Sequence, residues 1–320
     1  MRSRRGARRA ARPGGSRLGC HLLRACSWVL AMAFVTANPQ VFAESPVTPR
    51  VATVDWAQAE TLTALGVPPV GIGQLDAYRS WVDDGDLPDM TRNIGLRVQP
   101  NMELLAQMKL DLVTLSPMFE ANKARLSKIA PVREISIYYR DGPLWPNLEA
   151  GTRELGAAVG RADAAERLIA RSNAHLAELA GRVPADTPPL LLVQFLDARH
   201  LRVFGGRGLY QSVLDKLGLK NAWTGTTSFW GYAQVSLERL GELSTPGEAP
   251  QIVIINPMPV GVAGSLEHNV LWARIPAVKT HPVLTLPPAW SFGGLPSAIR
   301  FADNLLEVLA HGDASAGAGS

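Results

Sequence analysis

From residue 51 onward the chain alternates between short apolar runs and longer stretches whose apolar residues recur every three or four positions. The first pattern predicts buried strands and the second amphipathic helices. Residues 51–55 read as a strand, AQAETLTALG as a helix closed by Gly66, and PVGIG as the next strand. The glycine suits a left-handed helix cap. QLDAYRSWVDDGDLPDMTRNIGLRVQ is polar and rich in turn formers, and reads as a long loop of the kind that often carries function. NMELLAQMK then predicts a helix, LDLVTLS a strand, FEANKARLSKIA a helix and VREISIYY a strand. Strands alternating with helices indicate an α/β layer with a mainly parallel sheet.

Residues 143–183 break the alternation. Leu155, Ala158 and Val159 mark one apolar stripe, and Ala165, Leu168, Ile169 and Ser172 the next, with Asp163 placed to cap the second stretch. The expectation is a long helix that acts as a stiff strut. The second half repeats the first theme. PLLLVQFLD and LRVFG read as strands, GLYQSVLDKLG as a helix ending at Gly218, and NAWTGTTSFWGYAQ as a loop. SLERLGEL predicts a helix and QIVIIN a strand; VLWARIPAVKT and PVLTLP follow, and PSAIRFADNLLEVLAHG is the closing helix. The expected organisation is an α/β lobe over 44–142, a connecting helical segment over 143–187, a second α/β lobe over 188–312 and a low-complexity tail over 313–320.

Composition changes this picture at the N-terminus. The formal net charge of +4 is set by eight arginines before residue 44, where no Asp or Glu occurs. With those set aside, 24 basic residues face 28 acidic ones, and the nucleic-acid footprint disappears. The basic start, the run SWVLAMAFVTA and the VFA before Glu44 read as a secretory signal over residues 1–43. The other reading is an uncleaved anchor, although the run is short for a permanent span. Cys20 and Cys26 both fall in this segment, which leaves the mature chain without a disulfide, thiol nucleophile or thiolate metal site.

Tryptophans are the next signal. Trp81, Trp230 and Trp290 lie in loop-like contexts of both halves, flanked by Phe229, Tyr232 and Phe292. They are either core rings under loops or the walls of a shared cleft for a bulky, partly polar ligand. Arg97 sits between Gly95 and Pro100, where Pro100 reads as the start of the next helix. It is either a surface ion-pair partner or a rigid fork of donors for ligand oxygens. Asp197 and His200 are close in sequence, but no serine has a nucleophile-elbow context, so no catalytic residue is assigned. The five histidines after the leader, His175, His200, His268, His281 and His311, are scattered without ligand spacing, and no metal site is expected. Glu103 and Glu238 each open a short helical pattern that runs into an apolar strand. Each is either a first-turn acid that favours the helix dipole or one of two acidic knobs for a basic partner.

Seven motifs together carry a family resemblance: LGVxPxG (65–71), YRxWVxxxxLPD (78–89), GLRxxPNxELLxxMK (95–109), IAP (129–131), DxRHxxVFG (197–205), NAWxGxxxFWG (221–231) and FADN (301–304). With them the chain resembles the ferric hydroxamate periplasmic binding proteins, the iron–siderophore-binding components of ABC importers. The resemblance implies the class III fold: two Rossmann-like α/β lobes joined by a long backbone helix, with a shallow aromatic cleft between them. It implies that Arg97 bonds hydroxamate oxygens and that Trp230, Trp81, Trp290 and Trp223 belong to the ligand site. Phe119 and Phe292 stand where the family has tyrosines, and Tyr232 where it has a serine. These departures put ferrichrome itself in doubt. Glu103 and Glu238 fall where related proteins pair with arginines of the inner-membrane permease. The expected protein is a periplasmic monomer without a cofactor of its own, the iron held by the siderophore. The alternatives are a cobalamin or haem carrier on the same scaffold, or an exported siderophore-processing enzyme.

Overall fold

The apolar run at Val51–Thr53 is wholly buried because strands flank it on both sides. It is the centre of the first of two sheets in the computed structural model, which describes residues 48–82, 85–241 and 249–316. The signal segment, both cysteines and the last four residues of the predicted tail lie outside the described residues.

The first lobe runs β1 (Val51–Thr53), α1 (Trp56–Ala64), β2 (Gly71–Ile72), α2 (Leu75–Val82), β3 (Arg92–Asn93), α3 (Met102–Gln107) and β4 (Leu112–Leu115). A 3-10 turn at Pro117–Asn122, α4 (Lys123–Leu126) and β5 (Val132–Glu134) complete it. The connector is α5 (Leu144–Ala158) and α6 (Ala162–Ala180). The second lobe runs β6 (Leu190–Phe195), β7 (His200–Phe204), α7 (Leu209–Leu217), β8 (Tyr232–Ser236), α8 (Leu237–Gly241) and β9 (Gln251–Ile255). Three short helices follow, α9 (Val262–Glu267), α10 (Val270–Arg274) and α11 (Pro276–Thr280), then β10 (Leu284–Leu286) and the closing α12 (Leu295–Ala316).

The sheets have the orders β3-β2-β1-β4-β5 and β8-β7-β6-β9-β10. Counted from each lobe's first strand, both read 3-2-1-4-5. The first sheet is parallel throughout, but β7 runs antiparallel to both β6 and β8, so the second is mixed. The hairpin at residues 196–199 makes the difference: the chain returns directly instead of crossing over through a helix.

Several expectations change in detail. The polar stretch after residue 73 is no continuous loop; it holds α2, which buries Leu75, Tyr78 and Val82, and the edge strand β3. The strand predicted over VREISIYY stops at Glu134, and the rest turns toward the other lobe. The connector holds the expected long helix as the 19-residue α6, separated from α5 by a break at Gly160, whose φ is +68. Arg161 holds the cap position of α6, and Asp163 lies inside its first turn. The closing helix runs on to Ala316, into the segment read as tail.

One apolar cluster passes through both lobes. It includes Val51 and Leu62 of the first, Leu148 and Leu176 of the connector, Leu190 and Tyr210 of the second, and Phe301 of α12. Phe301 is fully buried, with its ring 4.3 Å from that of Tyr210. Phe301→Ala should therefore destabilise the protein by about 3–5 kcal/mol. Urea unfolding followed by tryptophan fluorescence and by circular dichroism should remain one coincident transition. Two separate transitions would show that the lobes do not share a core.

Candidate functional site

Arg97 is carried by a turn that the sequence specifies closely. Gly95, at φ +89, bridges to Pro100, and Gln99 N donates to Leu96 O at 3.1 Å, which places Arg97 inside the turn. Asn101, not Pro100, caps α3, its side chain accepting from Leu104 N. The guanidinium is stacked between two rings, 4.4 Å from the Trp56 centroid and 4.8 Å from that of Phe119. Its Nε donates to the Val54 carbonyl at 2.9 Å, so the donors it can offer a ligand are its Nη groups. Burial lowers the Arg97 pKa, and the charge of Asp55 raises it in part. An arginine still stays protonated under such a shift.

Arg97 opens into a cavity of about 250 Å³ lined from both lobes. The first lobe supplies Asp55, Gln58, Ser116 and Met118, and the chain after β5 supplies Ile135, Ile137, Tyr138 and Tyr139. The second lobe supplies Arg202, Trp230 and Tyr232, and the loop before α12 supplies Trp290 and Phe292. The rings form a connected wall: Trp290 to Phe292 is 5.2 Å, Phe292 to Trp230 is 5.4 Å, and Trp230 to Tyr139 is 5.5 Å. All three contacts are edge-on, the preferred geometry for aromatic pairs. With Arg97, Arg202 and Asp55 as its charged groups, the cleft carries a net positive charge.

Five of the predicted residues thus meet at one cavity: Arg97, Trp230, Tyr232, Trp290 and Phe292. Three do not line it. Phe119 is buried beneath the Arg97 guanidinium, so it forms a floor and not a wall. Trp81, on α2, packs edge-on behind Trp290 at 5.7 Å. Trp223 lies against Gly205 and Gly225 and supports the loops that carry Trp230. Asp197 and His200 pair at 2.9 Å at an exposed hairpin tip away from the cleft.

Tyr138, Tyr139 and Arg202 escaped the sequence reading. The two tyrosines were absorbed into a predicted strand, and Arg202 into a strand whose alternation gives no sign of a cleft. Tyr138 matters most, because its hydroxyl donates to the Gly293 carbonyl at 2.7 Å and so ties the chain after β5 to the Trp290–Phe292 loop. Burial, with Glu60 and Asp55 adding, pushes its pKa well above the usual phenol range, which keeps the hydroxyl a neutral donor.

Glu103 and Glu238 are exposed and lie in the first turns of α3 and α8. The shared strand order makes these crossovers equivalent, since each leads from the third strand of its lobe to the fourth. The Ser236 hydroxyl, then the residue's own backbone N–H, then Arg199 and His200, lower the Glu238 pKa.

The cleft between two like-ordered sheets has a counterpart among known proteins. The periplasmic binding protein family matches residues 51–289. The chain belongs to that family. Its members are binding components of transporters and not enzymes. The chain is 32% identical over 253 residues to the iron(3+)-hydroxamate-binding protein FhuD of Escherichia coli (strain K12), covering 79% of this chain and 84% of the relative. It is 29% identical over 183 residues to the ferric-anguibactin-binding protein FatB of Vibrio anguillarum, 55% of this chain and 54% of the relative. The Fe3+–Desferal-bound siderophore-binding protein FhuD of Vibrio cholerae superposes with a TM-score of 0.76 at 24% identity, over 83% of this chain and 99% of that one. This last likeness establishes the periplasmic binding protein fold.

Tyr138→Phe should loosen the aromatic loop. The lost hydrogen bond is worth about 1 kcal/mol, so stability to urea should fall by about that much. The emission of the unliganded protein should shift as Trp290 gains exposure. Unchanged stability and emission would show that the hydroxyl does not hold the loop.

Proposed function

We propose that the protein binds ferric hydroxamate-type siderophores and delivers them to the permease of an ABC importer. The observation that carries this reading is Arg97, stacked between Trp56 and Phe119 at one side of an aromatic cleft shared by both lobes. A guanidinium fork suits chelating oxygens, and the rings suit the hydrocarbon around them. Two arginines against one aspartate leave about one net positive charge, which compensates a chelate of small net charge better than the full charge of a tris-catecholate trianion. Among the described residues no histidine lines the cleft, which disfavours a haem carrier that needs an imidazole ligand. The likeness to the hydroxamate-binding relative of Escherichia coli supports the same choice. The iron is cargo, held by the siderophore.

The remaining parts of the reading are export and docking. Residues 1–43 would direct the chain to the periplasm, where it acts as a monomer. Glu103 and Glu238, placed in equivalent crossovers, would meet paired basic sites on a permease built from two like halves.

Arg97→Ala should weaken ferrioxamine B by about ten- to a hundredfold, the worth of a charge-assisted hydrogen bond. Arg97→Lys should recover only part, because an ammonium cannot reproduce the fork or the stacking. Quenching of tryptophan fluorescence measures both, and unchanged affinity would remove Arg97 from the site. Quenching by cobalamin or haem with none by any ferric hydroxamate would reverse the ligand assignment.

Glu103→Arg combined with Glu238→Arg should separate binding from transport. Ligand affinity should stay near wild type while siderophore-dependent iron uptake fails, because like charges then face the permease. Normal uptake by the double variant would return both glutamates to the role of helix-start acids.

A further inference from the structure

Two large aromatic side chains stand exposed where the cleft meets solvent. Tyr139 is 42% and Phe229 47% exposed, with ring centroids 5.4 Å apart. Both touch Trp230, at 5.5 and 5.3 Å, so they continue the ring wall of the cleft outward. The pair is also braced. Arg207 stacks on Phe229 at 5.1 Å and donates to the carbonyls of Arg140 at 2.6 Å and Tyr138 at 3.3 Å, on either side of Tyr139. The platform is therefore built from both lobes and held in place before any ligand arrives. The rim is apolar on the Arg97 side as well, where Leu96, Val98 and Met118 are each more than half exposed.

The cavity itself holds about 250 Å³. Pockets that enclose a drug-sized ligand run from about 300 to 1,000 Å³. An iron-chelate centre can sit against Arg97, but the remainder of a hexadentate siderophore must extend past the mouth. What it meets there is the Tyr139–Phe229 platform, which is continuous with the site.

We propose that Tyr139 and Phe229 form an outer subsite for an aromatic or other flat apolar arm of the siderophore, and that this subsite sets which ferric hydroxamates are preferred. The inference rests on the ferric hydroxamate reading and narrows it to chelates with such an arm.

The test uses two chelates with one iron centre: ferrioxamine B acetylated, or benzoylated, at its terminal amine. Wild-type protein should bind the benzoyl chelate about two- to tenfold more tightly, the range of an edge-on aromatic contact. In Tyr139→Ala combined with Phe229→Ala the ratio should fall to about one. Tyr139→Ser alone, at an exposed position, should reduce the ratio part-way and guards against misfolding of the double variant. Arg97→Ala should weaken both chelates and keep the ratio. Equal binding of the two chelates by wild-type protein would overturn the outer subsite and leave the hydroxamate reading standing. Equal binding together with loss of iron uptake in the double variant would assign the platform to the permease instead, and also overturns it. Failure of both chelates to bind wild-type protein would overturn the hydroxamate reading and this inference with it.

Discussion

A buried carboxylate joins the first lobe to the loop that bears two of the cleft aromatics. Glu60, on α1, is fully buried, and accepts from Gly294 N at 2.5 Å and from Ser297 Oγ at 2.6 Å, with Arg300 Nη1 at 3.6 Å. Burying an ionised carboxylate costs several kcal/mol unless it is fully paired. Here the start of α12 supplies the compensation through a free backbone N–H, a hydroxyl and the positive end of the helix dipole. The approach is close enough to dictate composition. A Cβ on Gly293 would lie 2.6 Å from the Glu60 carboxylate, and one on Gly294 would lie 2.5 Å from Thr61 Oγ1. The glycine pair after Phe292 is therefore a packing requirement of this contact.

From that anchor the cleft follows. Glu60 fixes Gly294, Tyr138 fixes Gly293, and Tyr210 fixes Ala289 by donating to its carbonyl at 2.5 Å. Three hydrogen bonds, from α1, α7 and the chain after β5, thus hold the six-residue loop in which Trp290 and Phe292 lie. Trp56 completes the arrangement, with its ring 4.9 Å from Trp290 and its Nε1 donating to the Gly73 carbonyl. The same indole stacks on Arg97. The arginine and the aromatic wall are thereby parts of one packed unit, and the shared apolar cluster behind them resists independent movement of the lobes. A ligand entering such a site loses little affinity to ordering its walls.

The residues differ in how plainly they announced these roles. The two lobes were legible because buried strands such as LLLVQF and QIVII are continuous apolar runs bounded by turn residues. The helix α2 was not, because its inward residues Leu75, Tyr78 and Val82 are interleaved with Asp76, Arg79 and Ser80 and lie beside the turn-forming run that follows. A two-residue edge strand such as β3 leaves no periodic trace at all. Arg97 was legible through its turn and through the family motif. Phe119 was legible as a partner of the site, but not as the floor beneath the guanidinium, since sequence carries no sign of which face a ring offers. Tyr138 and Glu60 were invisible for a common reason. Each acts on Gly293 or Gly294, more than 150 residues away, and only the fold brings those positions together.

The chemistry that results is one of fixed donors. The Arg97 guanidinium stays charged although burial lowers its pKa, and the Tyr138 phenol stays neutral because burial raises its own. Among the described residues no histidine lines the cleft. A site so composed has no imidazole whose charge switches near neutrality. Release of the ligand must then come from outside the cleft's own titration. The apolar cluster shared by both lobes opposes a free swing of one against the other. Under the docking proposed for Glu103 and Glu238, a partner would hold both lobes through equivalent crossovers, one on each.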